Sequence, residues 1–325
     1  MKDRGLLDLI ISLLPELVPV ERIILLNSFD SEREIYLQTK RNIEELLGRK
    51  LRKTPDINSI RDKADRLDTM CRMRSIKWVS WTNMDYPPLL REIYDPPSVI
   101  YYKGSLPDPE KPLLGMVGTR KPSPEAATQC YKIACGAGKA GISVVSGLAL
   151  GIDAMSHRGN LAGGVPGYAV LGSGIDEVYP SSNRSLAKKI LDSGGALLSE
   201  YPPGTVPRKW SFPARNRIIS ALSRSVLIVE APRKSGALIT AAFALEHGKD
   251  LYAASTGLKP LDTMYDKRGT IKLAEEGAEI IYSELDILEK WNIKIADNSE
   301  NVLPSLRKAT DEIVFSMANL LKIEV

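Results

Sequence analysis

From Leu113 onward two kinds of segment alternate, and this alternation constrains the fold more than any other feature. Short apolar runs recur at LLGMVG (113–118), ISVVSG (142–147), GYAVLG (167–172), GALLSE (195–200), SVLIVEA (225–231), DLYAAS (250–255) and AEIIYS (278–283). Each has strand length and is nearly continuous in apolar residues, as strands covered on both faces are. Between most of them lie helix-length segments such as PEAATQCYKIACGAGKA and GALITAAFALEHG. Strand and helix repeated in this order predict an α/β fold, a doubly wound parallel sheet spanning about 113–288.

The flanking segments read differently. In residues 1–80, Leu6, Leu7, Leu9, Ile10, Leu13 and Leu14 recur at helical spacing, as do Ile43, Leu46 and Leu47 further on. They predict a small helical domain, with SFDSERE as a turn and helix start. Residues 81–112 hold seven prolines and four tyrosines, which predicts an extended connecting segment. The tail, 289–325, is polar and ends in the amphipathic DEIVFSMANLLKIEV. The apolar run near the start is broken by Asp8, Pro15 and Glu16 and falls far short of a membrane span, so a cytoplasmic protein without membrane association is expected.

Composition excludes little. A net charge of +4 on 325 residues does not by itself imply nucleic acid; the placement of the charge decides. Cys71, Cys130 and Cys135 form no CxxC and read as buried thiols in a reducing compartment. Only two histidines, His157 and His247, are present and far apart, so no metal centre is expected.

In open α/β sheets, ligands bind beyond the carboxyl ends of the strands. Five strand ends here carry unusual residues. They are Gly118, Thr119, Arg120 and Lys121 after the first run, Ser146, Gly147 and Gly151 after the second, and Gly172, Ser173, Gly174 and Asp176 after the third. SEYPPGTVPRKWSFPARNR follows the fourth, and Ser235 and Gly236 open a helix after the fifth. Glycines at such turns admit close backbone approach, and free N–H groups at helix starts favour anions. GAGKAG (136–141) matches a dinucleotide fingerprint letter for letter, but it closes a helix and precedes a strand, so it reads as a C-cap.

Between residues 208 and 234 lie Arg208, Lys209, Arg215, Arg217, Arg224, Arg233 and Lys234, with Glu230 as the only acid. The plain reading is a solvated basic face. The sharper one rests on placement: several of these cations lie in a long connection at the ligand edge, interleaved with Trp210 and Phe212 and followed by Asn216. Cations for phosphates and rings for unstacked bases are what a single strand of nucleic acid needs. No nucleophile elbow or Walker lysine occurs, and no catalytic constellation stands out. His157 reads as structural, with a general base as the lesser alternative; Asp153, Asp176 and Glu200 read as caps or dipole partners before ribose or metal ligands.

MVGTRKPSP (116–124), VVSGLALGIDAMSHRGNL (144–161), AVLGSGIDEVYPSSNRSL (169–186), LLSEYPPGTVPRKWSFPARNRIISALS (197–223) and VLIVEAPRKSGALITAAFALEHGKDLYA (226–253) together resemble the DNA processing protein A (DprA/Smf) family. DYPPLLREIYDPPSVIYYKG (85–104) extends the likeness. The resemblance implies an extended Rossmann-like core, an N-terminal domain like a sterile alpha motif, single-stranded DNA binding, homodimers formed through the core, and loading of the RecA recombinase in natural transformation. By motif, Arg120 corresponds to a phosphate-contacting arginine, Lys209 and Phe212 to a basic and an aromatic groove position, and Arg215, Asn216 and Arg217 to the family's RNR signature. No cofactor is implied. The chain departs from the pattern at Ala254–Gly257 and at KRGTIKLAEEGA (267–278), and its tail is too short for the winged helix common in the family, which is expected to be absent or vestigial. The alternatives are a nucleotide-binding sensor and a phosphoribohydrolase-like enzyme of related fold, although the latter's PGGxGTxxE motif is missing.

Overall fold

The computed structural model describes residues 4–258 and 264–293. Each of the seven apolar runs is a strand: β3 (Leu113–Val117), β4 (Ser143–Ser146), β5 (Tyr168–Val170), β6 (Ala196–Ser199), β7 (Ser225–Ile228), β8 (Asp250–Ala254) and β9 (Glu279–Ile281). β1 (Lys77–Ser80) and β2 (Val99–Gly104) precede them. The nine lie in one sheet, in the order β1-β2-β6-β5-β4-β3-β7-β8-β9. From β6 to β9 all neighbours are parallel, and every residue of β3, β4, β6 and β7 is buried. The chain therefore has a Rossmann-like α/β core, wound outward in both directions from the β3–β7 pair. That pair is the topological switch point, where a crevice opens.

One expectation needs correction. The segment 81–112 is more than a connection: its β2 pairs antiparallel with β6, and β1 pairs antiparallel with β2, so the sheet gains two strands at that edge. The reason lies in VIYY. Val99 and Tyr101 enter one core cluster while Ile100 enters the cluster on the opposite face, the period-two pattern of a strand with apolar layers on both sides. The prolines fall outside it, where no ladder N–H is lost.

The N-terminal helices share a core with the sheet. Leu7 and Ile10 of the helix Leu7–Leu13 and Leu14 just after it, with Leu25 and Ile43, pack in one cluster with Val99, Tyr101, Ala169 and Leu171. Asp8 is buried beneath them and accepts hydrogen bonds from Ser80 Oγ and Thr82 Oγ1, fastening the helices to β1. GAGKAG finishes the helix Pro124–Lys139 and turns at Gly141 with φ +82°, as its position before a strand predicts. None of the described helices is long and apolar enough to cross a membrane. The tail beyond residue 293, with its amphipathic stretch and the question of a winged helix, lies outside the described residues, as does 259–263 within the divergent region.

Candidate nucleic-acid interface

At the switch point, the turn after β3 hangs from one buried carboxylate. Glu230, 1% exposed just beyond β7, accepts from Ser123 N at 2.9 Å and Ser123 Oγ at 2.6 Å. Its backbone carbonyl takes the Thr119 N–H at 2.7 Å. The Thr119 hydroxyl accepts from Lys121 N at 3.2 Å, and Ser123 Oγ caps the following helix at Ala126 N. The turn is thereby fixed from below, with Gly118 half-buried and the side chains of Arg120 and Lys121 exposed above. Lys267 Nζ, itself buried, lies 3.7 Å from Glu230 Oε2 and supplies a counter-charge.

The second wall is the long connection from β6 to the helix Ser211–Leu222. Ser211 anchors it: the hydroxyl donates to the Gly172 carbonyl at the end of β5 and accepts from Arg208 N at 3.2 Å. Phe212 follows in the first helical turn and leans over Gly172, where an added Cβ would sit 2.9 Å from the ring. Gly172 is thus required for the close approach of ring and strand end. The Phe212 ring has the Arg120 guanidinium 5.7 Å from its centroid on one side and the Tyr179 ring at 5.6 Å on another. Trp210 is 59% exposed, with the Tyr201 ring edge-on at 5.9 Å. Lys209 and Arg208 are exposed beside it. Ser235 caps its own helix by accepting from Ala237 N at 3.2 Å, with Gly236 exposed at the helix start near Arg233 and Lys234.

The RNR triplet behaves otherwise than its charge predicts. Arg215 is 5% exposed and runs under the strand ends, donating through Nη1 to the Val170 carbonyl, with Nη2 3.8 Å from Asp153 Oδ2. It fills the space above Gly147, where any Cβ would overlap its guanidinium. Arg217 is 3% exposed and grips Glu200 through two bonds of 2.8 and 2.7 Å, with Nε 2.9 Å from Asp95 Oδ2. Burial works against its charge, but the two carboxylates outweigh it and hold the guanidinium firmly protonated. Asn216 Nδ2 donates to the Gly236 carbonyl at 3.1 Å and ties two helix starts together. The physical reason is packing: the helix is buried all round from Arg215 to Leu222, so its polar side chains find partners on different sides, Arg215 at Asp153, Asn216 at the Gly236 carbonyl and Arg217 at Glu200 and Asp95. These residues, with Gly147, build the edge from beneath, and their side chains are withdrawn from a ligand above it.

One further expectation changes. Arg224 lies at the amino end of β7, on the far side of the sheet from the crevice, with its guanidinium 5.0 Å over the Trp291 ring. His157 is wholly buried; burial, with Arg215 adding, pushes its pKa down to about 3, so it stays neutral and no proton acceptor faces the crevice there. Asp176 accepts from Gly204 N at 2.8 Å and pairs with Arg74 of the helical segment. Tyr179, Tyr201 and Lys267 carry no mark in the charge pattern, and Glu230 stands out there only as the one acid of the basic window. A tyrosine beside proline in a ligand-edge connection, as in EVYPSS and SEYPPG, is the signal that marks the first two.

What results is a class of structure before it is a family: a Rossmann-type core whose carboxyl edge bears exposed Arg120, Lys121, Arg208, Lys209, Arg233 and Lys234 interleaved with aromatic faces. The sequence profile of the family described as DNA recombination-mediator protein A matches residues 77–292, and the chain belongs to that family, also called DprA or Smf. It is 45% identical to Protein Smf of Synechocystis sp. over 231 residues, 69% of this chain; the match spans only 57% of that protein's length. The crystal structure of DNA processing protein A from Streptococcus pneumoniae superposes with a TM-score of 0.69 at 31% identity, covering 89% of this chain and 97% of the other. A structure of DNA processing protein A from Helicobacter pylori, described for its single-stranded DNA binding mode, gives 0.57 at 28% identity over 66% of this chain and 96% of the other.

Proposed function

We propose that the protein binds single-stranded DNA along the carboxyl edge of its parallel sheet and acts, without catalysis, as a mediator that protects the strand and delivers it to the RecA recombinase. In this reading it works in the cytoplasm as a homodimer joined through the core. Arg120, Lys121 and Lys209 take phosphates, and Phe212 and Trp210 take bases. One observation supports this most: Arg120 and Phe212 come from connections 92 positions apart, yet lie 5.7 Å apart as a cation beside an aromatic platform. The carboxylates at this edge are already engaged, Asp153 with Arg215, Asp176 with Arg74, Glu200 with Arg217 and Glu230 with Ser123, which favours binding over acid–base chemistry. The related proteins named for DNA processing and for single-stranded DNA binding point the same way.

The test is a titration of labelled oligothymidine at several salt concentrations, with duplex DNA and mononucleotides as competitors. Affinity should grow with strand length and fall with salt. In Arg120→Ala or Lys209→Ala the slope of log affinity against log salt should shrink by about 0.7, because each lost phosphate contact releases one counterion fewer. Binding that a mononucleotide displaces at low concentration would overturn the reading in favour of a nucleotide sensor.

A further inference from the structure

A cavity of about 420 Å³ opens beside this edge, between the N-terminal helices and the core. It falls in the size range of small-molecule sites, roughly 300–1,000 Å³. Its walls come from the helix Pro19–Ser28, from β2, and from the same β6-to-helix connection that bears Lys209 and Phe212. Trp210, Tyr201 and Phe243 give it apolar faces, and Arg22, Tyr101 and Glu200 give it polar ones.

Two features point to an occupant. Arg22 Nε is buried with no hydrogen-bond partner among the described residues, and Tyr101 Oη, near Ser12, forms no hydrogen bond of good geometry although the residue is only 1% exposed. Buried polar groups are normally satisfied, and Arg22, whose side chain among the described residues donates one long hydrogen bond, to the Leu14 carbonyl at 3.4 Å, brings under-used donors to the cavity wall. The charge balance disfavours a phosphate: Arg217 is already paired with Glu200 and Asp95, and those two carboxylates border the same cavity, so an anion would meet Arg22 against two negative charges. What fits is neutral and planar, with apolar faces and an edge bearing both donors and acceptors. Trp210 directly follows Lys209, so a strand whose phosphate rests on Lys209 has its next base at the cavity mouth.

We propose that this cavity is a base subsite, which takes one unstacked nucleobase of the bound strand against Trp210 and reads its edge through Arg22, Tyr101 and Glu200. The proposal rests on the strand-binding reading above and adds to it a pocket in which the N-terminal helices contribute to DNA binding.

The experiment moves a single abasic position along an oligothymidine of minimal binding length. In the natural protein one position should cost about five- to hundredfold in affinity, the worth of one base–aromatic stack. That penalty should vanish in Trp210→Ala, while Tyr101→Phe, which keeps the ring and removes only the hydroxyl, should narrow the preference among bases substituted at that position. Arg120→Ala should weaken all the oligonucleotides alike. A flat abasic profile in a protein that still binds strands with normal salt dependence overturns the subsite and leaves the strand-binding function standing; so does a penalty that survives in Trp210→Ala. Saturable perturbation of Trp210 fluorescence by thymidine monophosphate together with a flat profile assigns the cavity to a free nucleotide and overturns the proposal. Absence of strand binding refutes the function itself.

Discussion

Replacing Arg217 with methionine separates two roles that its charge and its position in the RNR triplet leave confounded. If the guanidinium serves the architecture, the cost falls on stability and not on binding. The side chain is 4% exposed and holds Glu200 bidentately and Asp95 through Nε. Removing one partner of a buried pair costs about 3–5 kcal/mol, because the other charge is stranded. Here Glu200 keeps 15% of its side-chain surface and Asp95 37%, so water relieves part of the penalty. The lower end of that range, about 3 kcal/mol, is therefore expected. For a core of this size that is a fall in Tm of roughly 6–12 °C.

The assay pairs thermal unfolding with the salt-dependent titration, each performed on Arg217→Met and Arg120→Ala. Arg217→Met should lose thermal stability and, measured well below its transition, keep the natural salt slope. Arg120→Ala should show the reverse, with stability changed by less than about 0.5 kcal/mol, as for exposed positions. Replacing Glu200 with leucine in the Arg217→Met background should recover part of the lost stability, since only Asp95, the more exposed of the two carboxylates, then keeps an unpaired charge. An Arg217→Met protein of undiminished Tm with a shallower salt slope would refute the reasoning, because the guanidinium would then be contacting phosphate.

Phe212→Ala is expected to lower strand affinity by about 1–3 kcal/mol through lost stacking, and a titration that shows no change would make the ring a packing group over Gly172. Gly147→Ala pushes a methyl into the Arg215 guanidinium and should destabilise by about 1–3 kcal/mol in denaturant unfolding, with no change if Arg215 can move aside freely. His157 gives a pH dependence: its pKa of about 3 in the fold lies below its ordinary value, so the unfolded chain takes up the proton first as pH falls. Stability from this group is complete above about pH 6.5 and should decline toward pH 3, by about 2–3 kcal/mol between about pH 7 and pH 4.5. His157→Leu should flatten that part of the profile, as read from urea midpoints at the two pH values.

The parallel sheet was legible because its central strands are buried on both faces and read as unbroken apolar runs; all seven runs become strands, including β9, two of whose three residues are exposed. β2 was harder to see. Three of its residues, Val99, Ile100 and Tyr101, are buried, but they lie in a stretch rich in prolines and tyrosines, and a composition window averages the strand away. The ligand edge followed from chain order, since the residues after each strand of a parallel sheet gather at one end. Arg120, Lys121, Lys209, Trp210 and Phe212 meet there for that reason.

Depth was the missing quantity. A window rich in cations says how much charge a segment bears, not which way each side chain turns. Of the seven cations between 208 and 234, Arg208, Lys209, Arg233 and Lys234 are exposed at the edge, Arg224 is carried to the other end of the sheet, and Arg215 and Arg217 are inside. The two buried arginines have partners at 153 and 200, far away in sequence, so no local pattern reveals them. Yet the partition has a functional logic. An edge that must bind a polyanion gathers positive charge, and repulsion among those cations would loosen the loops that hold them. Sinking two guanidiniums onto carboxylates, one of them buried and two partly so, braces those loops without adding net charge, and leaves the outer cations free for the strand. Arg215 and Arg217 then matter to binding through the positions of Lys209, Trp210 and Phe212, which is why a substitution that unfolds the edge and one that removes a contact must be told apart by salt slope and Tm together.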